Sequence, residues 1–408
     1  MKVDTMRRID YWAGVPLCFL GTLWQKAVGL FRPPAATRPR KVLLIELSEM
    51  GSAILVDPAM RKLQRELDAE LHFVIFASNK PSLQLLGTVP EENIFTIRSD
   101  GLLPLALDTL AFLRWTRERG IDTVIDLELF SRFTALLAGF CGAVNRVGFH
   151  AFHNEGLYRG DFLTHKVAYN PHQHIAKNFI ALVNALLAPR PELPYSKTIV
   201  SDEEIRLARR EVKEEERAEV RAAVKACFSA YDPARHRIVL VNPNASELLP
   251  QRRWAPERYR DLIRRILAEA DDLLVLITGA PSEAEEAQTL RDSVGDDRCI
   301  NFAGKVAFLQ LPALYAISTL MVTNDSGPGH FSAVTDLPTF VLFGPETPAL
   351  YGSLGNSTPI YAGLACSPCV SAANHRKTPC TDNRCLQAIT PDDVMAAIGD
   401  RLRSGMET

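Results

Sequence analysis

From residue 41 onward, short apolar runs alternate with amphipathic stretches, and the alternation occurs twice along the chain. KVLLIEL (41–47) is too short for a buried helix and has polar flanks, so it reads as a buried strand. An amphipathic stretch follows at about 53–67. LHFVIFA (71–77), NIFTI (93–97) and DTVIDLE (122–128) repeat the strand pattern, with helical segments near 104–119 and 131–139. Residues 150–175 are rich in His, Asn, Tyr and Gly, fit neither period, and read as loop at the carboxyl edge of a sheet. A helix over 176–189 is broken by LAPRPELPY (187–195), and 201–228 reads as one strongly charged, solvated helix. The second series opens at HRIVLVNPN (236–244), followed by a helix at 256–269, DLLVLITGA (271–279) and a helix at 282–294. CINFAG (299–304), a helix at 309–317, TLMVTNDSG (319–327), another helix and PTFVLFGPE (338–346) complete it. Strands that alternate with helices predict parallel sheets covered on both faces, so the expectation is α/β with two doubly wound domains. The expected divisions are 41–195, a charged linker helix over 196–235, and 236–408, with a cleft between facing sheet edges.

The first forty residues break this pattern. Lys2, Arg7, Arg8, Lys26, Arg32, Arg38 and Arg40 stand against only Asp4 and Asp10. Between the cations runs YWAGVPLCFLGTLW (11–24), then AVGLF after Lys26. That uncharged run is short of the roughly 20 apolar residues a bilayer span takes. Aromatic, leucine-rich and flanked by cations, it suits a segment lying in the interface of an anionic membrane. A helix packed on the protein's own surface is the alternative. RPPAATRPR (32–40) reads as a linker holding the segment away from the fold.

Composition narrows the classes little further. With 408 residues, 47% hydrophobic and 23% charged, the chain is globular and long enough for two cores. A net charge of −2 gives no reason to expect nucleic acid. No secretory signal with a small-residue cleavage site is evident, which places the main body in the cytosol.

The chemistry gathers where predicted strands end. VTNDSGPGHFSAV (322–334) crowds Asn324, Asp325, Ser326, Gly327 and His330 between a strand and a helix. Gly327 permits close backbone approach, Pro328 suits a first helical turn, and the amides beyond form an anion site helped by the helix dipole. Asp325 or Ser326 capping a core helix is the competing reading. NPNASELLPQRRWAPERY (242–259) places Ser246, Arg252 and Arg253 beside another strand end. Paired arginines answer a departing diphosphate, whose negative charge grows as the bond to it breaks. FGPETP (343–348) lies at a third strand end.

NDSGPGHFSAV followed by LFGPETPALYG, with RRWAPERY and the early LSEMGSAILVDPAM (47–60), resembles glycosyltransferase family 9, the bacterial heptosyltransferases. The resemblance runs from about residue 41 to the C-terminus, in the family's motif order. It implies a GT-B architecture of two Rossmann-like domains, the acceptor on the first and the sugar nucleotide on the second. It implies inverting, metal-independent transfer from an ADP-sugar or other nucleoside-diphosphate sugar to lipopolysaccharide core or another lipid-linked glycan. The place of action would be the cytoplasmic face of the inner membrane, with the protein peripheral. Asp325, Ser326, Gly327 and His330 would hold the donor's phosphates and nearby hydroxyls. Arg252 matches the family's basic residue for the diphosphate, with Arg253 beside it, and Ser246 falls where a phosphate-binding hydroxyl is usual. The departure is at the base. The family commonly reads Ser-small-Gly-Asp after the first strand, whereas here Gly51 is followed by Ser52. Serine has no pKa suited to accepting the proton unaided. Glu49 is the candidate substitute base, with Glu46 and Asp57 as weaker ones and another carboxylate or an acceptor-assisted route as the alternatives. The rival functions are a sugar-nucleotide epimerase and a catalytically silent sugar-nucleotide-binding protein.

Two clusters suggest metals. Cys366, Cys369, Cys380 and Cys385 form a CxxC with two further thiols. Four thiolates can close a structural zinc site, disulfides are the other chemistry, and plain unmodified thiols are the third reading. His150, His153, His165, His172 and His174 are read as polar loop residues, with one or two touching acceptor.

Overall fold

The computed structural model describes residues 3–31, 37–153, 156–190, 192–193, 196–246, 249–371, 374 and 376–403. The chain forms two compact units, the first running through Arg206 and the second comprising Leu207–Ser371 and the chain from Arg376.

In the first unit, helices α1 (Val3–Trp12) and α2 (Gly14–Phe31) precede the sheet. Then come β1 (Lys41–Ile45), α3 (Met50–Leu67), β2 (Glu70–Phe76), α4 (Lys80–Leu86), β3 (Ile94–Ile97), α5 (Leu102–Arg119) and β4 (Thr123–Asp126). The unit closes with α6 (Arg132–Phe140), β5 (Asn145–Phe149), β6 (His165–Val167) and α7 (Ile175–Leu187). All six strands are parallel, in the order β3-β2-β1-β4-β5-β6. Central β1 is buried from Val42 to Ile45, as a strand covered on both faces must be.

The second unit begins with α8 (Glu214–Cys227), followed by β7 (Arg237–Asn242), α9 (Pro256–Glu269), β8 (Leu273–Ile277), α10 (Ala284–Val294) and β9 (Cys299–Asn301). It continues through α11 (Leu311–Ala316), β10 (Leu320–Asn324), α12 (Gly327–Phe331), β11 (Thr339–Phe343), α13 (Pro348–Tyr351), β12 (Ser357–Tyr361), α14 (Arg384–Gln387) and α15 (Pro391–Arg403). Its order, β12-β11-β10-β7-β8-β9, is again fully parallel. Both sheets therefore follow one scheme, with the first and fourth strands side by side. Connections diverge on either side of that pair, and the crevice at its carboxyl ends is where such sheets bind ligands. The switch points are β1/β4 and β7/β10.

Three expectations change. Residues 150–175 are not all loop, because β6 lies within them; a three-residue edge strand needs only Val167 buried, too little to leave a period. The charged helix begins at Glu214, not near 201. Arg210 N donates to Val334 O at 2.8 Å and Ile205 is buried, so the preceding stretch is held down as a single 3-10 turn at Glu203–Ile205 followed by non-helical chain. Three glutamates in the first turn of α8 mark the true start, since acidic residues suit a helix N-terminus.

The third change concerns the apolar N-terminus. Of the linker, residues 32–36 lie outside the described residues, but the segment before it packs on the first unit. Gly14, Cys18, Gly21 and Thr22 form the buried face of α2. A Cβ on Gly14 would lie 2.8 Å from Arg132 Cβ, and one on Gly21 would lie 3.0 Å from the Phe140 ring. Small residues let the helices approach that closely. Thr22 Oγ1 accepts from Asp161 N at 2.9 Å, and Arg132 pairs with Asp10 at 3.1 Å. The opposite face of α2 leaves Leu17, Phe19, Leu20, Leu23 and Trp24 exposed. Gly14–Phe31 is long and apolar enough to cross a membrane by length and composition, with 22% of it buried.

Candidate functional site

Asn324 ends β10 fully buried, and its amide bridges the second unit's switch point. Its Nδ2 donates to Pro243 O at 2.7 Å, while its Oδ1 accepts from Trp254 N at 3.1 Å and Tyr259 Oη at 2.9 Å. One side chain thus fixes the β7 loop, the start of α9 and the end of β10 together. Asp325 follows, with its backbone N–H bonded to Leu342 O at 3.0 Å. Its carboxylate lies 3.3 Å from Arg252 Nε. The same guanidinium reaches Glu346 at 3.2 Å, and Arg376 reaches that carboxylate at 3.5 Å. Glu346 is completely buried in FGPETP, beyond β11. Two cations and two carboxylates therefore interlock at the carboxyl ends of β7, β10 and β11. Each charge has a partner, as burial demands, and Arg252 is held in one orientation.

The neighbouring residues differ from expectation in detail. Helix α12 has five residues, so a long helix dipole is not available there. Ser326 stands at the N-cap but does not cap; its hydroxyl bonds to Asn324 O at 3.1 Å. Gly327 is needed for packing, because a Cβ there would meet the Phe331 ring at 2.8 Å. His330 is half-buried one turn on, and Ser246 is exposed in the β7 loop. Arg253 turns away from the cluster, donating through Nη2 to Ala245 O at 3.0 Å. The sequence pairs the two arginines, but the structure brings only Arg252 to Asp325. Glu283, past β8, accepts from Ala280 N at 2.6 Å, and burial raises its carboxyl above the ordinary value.

At the first unit's switch point the bridge is Glu128. Its Oε1 accepts from Leu47 N at 3.1 Å, Ser48 N at 3.2 Å and Ser48 Oγ at 2.6 Å. The carboxylate beyond β4 thereby anchors the loop after β1. That loop leads to Glu49, at the N-cap of α3 in extended conformation, and then to Gly51 and Ser52. Ser52 Oγ donates to Glu49 Oε2 at 3.3 Å, so the serine after Gly51 touches that carboxylate. The weaker substitutes are enclosed: Glu46 is buried, and Asp57 is buried within α3 and paired with Arg61 at 2.7 Å. Burial raises the carboxyls of Glu128 and Asp126. Asp126 is paired with Arg159. Beside them a cavity of about 260 Å³ is lined by Asp126, Phe149, His150, Arg159 and Phe162. Among the histidines, His150 alone reaches that wall. His174 instead caps α7, accepting from Ala176 N at 3.2 Å.

The sequence profile of glycosyltransferase family 9 (heptosyltransferase) matches residues 110–378. The chain belongs to this family. Lipopolysaccharide heptosyltransferase 2 of Salmonella typhimurium is 29% identical over 106 residues, which is 25% of this chain and 30% of that protein. Lipooligosaccharide heptosyltransferase 2 of Campylobacter jejuni is 25% identical over 173 residues, 41% of this chain and 52% of the relative. The chain thus matches about half or less of the length of these curated relatives. In fold the likeness is broader. The structure of Escherichia coli ADP-heptose lps heptosyltransferase II superposes with a TM-score of 0.68 at 20% identity, over 90% of this chain and 99% of that one. A family 9 glycosyl transferase from Veillonella parvula gives 0.69 at 18%, over 90% and 98%. The GT-B fold class stands.

The sequence names Asn324 among the polar residues after its strand without giving it a role, and it gives none to Glu346, Arg376 or Glu128. Glu346 lies in FGPETP, and a carboxylate at a strand's carboxyl end opposite arginines is the available signal. Arg376 had none, since it comes from a distant loop. The zinc reading of the cysteine cluster finds no support. Among the described residues no three His, Cys, Asp or Glu side chains gather as a metal site, and all the cysteines are free thiols. Cys366 is exposed while Cys385 is buried, with burial raising its pKa. Cys369 and Cys380 lie near enough to Cys385 to raise its thiol further, without forming a metal-holding group among the described residues.

Proposed function

We propose that this chain is an inverting glycosyltransferase that moves a sugar, heptose by the family's precedent, from a nucleoside-diphosphate donor to lipopolysaccharide core or another lipid-linked glycan. The observation that carries this reading is Arg252, held between Asp325 and Glu346 at the second unit's switch point in a family 9 chain. A guanidinium fixed in advance stabilises charge as it develops on a leaving diphosphate, without reorganising during reaction. Asp325, Ser326, Gly327, His330 and Ser246 surround the donor's phosphates and hydroxyls, with Arg253 shaping the loop. An ADP-linked donor is supported by the likeness to the Escherichia coli ADP-heptose heptosyltransferase, and a lipopolysaccharide acceptor by the names of the relatives.

On the acceptor side, Glu49 takes the proton from the attacking hydroxyl. That oxygen bonds to the anomeric carbon as the bond to the phosphate oxygen breaks, and the electron pair leaves with the diphosphate. Ser52 hydrogen-bonds Glu49 and keeps its carboxylate turned to one rotamer. The apolar outer face of α2, with Arg7, Arg8 and Lys26, seats the protein peripherally on the inner membrane's cytoplasmic face. The decisive assay follows nucleoside-diphosphate release from ADP-heptose, with and without truncated lipopolysaccharide acceptor. Release that requires acceptor supports transfer. Donor binding without turnover supports the silent reading that Ser52 raises.

A further inference from the structure

A second apolar face lies outside everything assigned so far, on α5. Leu103, Leu107 and Leu110 are 70%, 53% and 66% exposed, with Leu102 beside them. Their spacing of four and three residues puts them on one side of the helix, as a stripe about 10 Å long. The opposite side is accounted for: Phe112 and Thr116 are buried, and Leu105, Leu113 and Trp115 pack on the first unit's core. The outward leucines are not among the residues packed on that core.

We infer that this leucine stripe is a second lipid-contacting surface, which docks with α2 on an anionic bilayer. Continuity with α2 carries the choice of occupant. Gln25 of α2 donates to Gly139 O, and Arg117 of α5 donates to Phe140 O at 3.1 Å. Two adjacent carbonyls at the end of α6 thus tie both helices to one element. Charge agrees. Asp108, next to Leu107 in sequence, is paired with Arg98 at 2.7 Å, and Glu118 with Arg114 at 2.6 Å. Arg114 and Arg117 follow one and two turns beyond Leu110 on the same side of the helix, and cations beside an apolar face favour anionic headgroups. Helix α2, gripped by α6 through its small-residue face, lies along its unit rather than through a membrane. Two such faces would hold the unit at two places and prevent rotation about a single helix.

This inference rests on the membrane reading of α2, and the test separates the two. The full chain is sedimented with vesicles of phosphatidylethanolamine and phosphatidylglycerol. It is compared with the triple variant L103S/L107S/L110S and with an α2 variant, F19S/L23S. Far-UV circular dichroism and acceptor-dependent release with a soluble truncated acceptor establish that each variant is folded and active. Withdrawing three leucines from lipid predicts a loss of about tenfold or more in partitioning for the triple variant. Should the triple variant not fold, Leu107→Asp alone is read the same way. Parental binding in the triple variant, with loss only in F19S/L23S, overturns the α5 inference and leaves the membrane reading intact. Absence of vesicle binding by the parent overturns both, while activity on soluble acceptor would still support transfer. A parental dimer that the triple variant dissolves, by light scattering, overturns the lipid assignment in favour of a second copy of the chain.

Discussion

Arg252 owes its usefulness to residues that never need to meet a substrate. Glu346 is shared by Arg252 and Arg376, and Arg376 also lies over the Tyr351 ring at 4.5 Å. Removing that carboxylate leaves buried positive charge uncompensated. Glu346→Ala is expected to cost about 3 kcal/mol in urea unfolding and to raise the donor's KM. A variant with parental stability would mean that the cluster does not depend on Glu346. Glu49→Gln is expected to lower kcat about a hundredfold or more at unchanged donor KM, as loss of a general base does; near-parental turnover removes Glu49 from the mechanism. Glu128 makes a prediction about pH. Burial lifts its carboxyl above the ordinary value of 4.5, so the folded chain keeps a proton that the unfolded chain releases above that value. Stability is then greatest at low pH and declines as pH rises through the raised range. Glu128→Gln keeps an acceptor for Leu47 and Ser48 but does not titrate. The decline in urea midpoint as pH rises above 4.5 should become shallower, with Asp126 still contributing the same sign.

At the scale of elements, each switch point is locked by one side chain. Glu128 joins the end of β4 to the loop after β1, and Asn324 joins the end of β10 to the loop after β7. A short polar residue at the carboxyl end of a central strand is thus spent on holding loops that carry the chemistry. Helix α2 depends on the opposite device, absence of side chain. In Gly21→Leu the new atoms meet the Phe140 and Phe162 rings, which already stand 3.0–3.1 Å from where a Cβ would sit. Overpacking of this kind costs about 2 kcal/mol. Limited proteolysis should then cut α2 sooner than in the parent chain; equal rates would show that α2 is not held by this face.

For the whole molecule, ligand linkage offers a direct reading. ADP that binds the folded chain should raise the unfolding temperature, contributing about 2.7 kcal/mol at a hundredfold excess over its Kd. In Arg252→Ala the shift should vanish, whereas an undiminished shift would detach the diphosphate from Arg252. What the sequence determined alone was the architecture: two series of apolar runs at strand length, each alternating with amphipathic stretches, admit little but two parallel sheets covered on both faces. It also marked the strand ends that carry Asp325, Arg252 and Glu49, because polar residues crowded after an apolar run have a local cause. It left unread whatever depends on partners far along the chain. Edge strand β6 was silent because one buried valine makes no period. The ion pairs of Glu346 with Arg252 and Arg376 join residues 94 and 30 positions apart, and Arg253 parts from Arg252 to reach Ala245 O in the loop after β7. The thiols from Cys366 to Cys385 keep a ligand-like spacing, yet no metal-holding group forms among the described residues, and α2 is a packed helix only because α6 presents a surface for glycines. Periodicity is a property of neighbours in sequence, whereas pairing and burial are decided by neighbours in space.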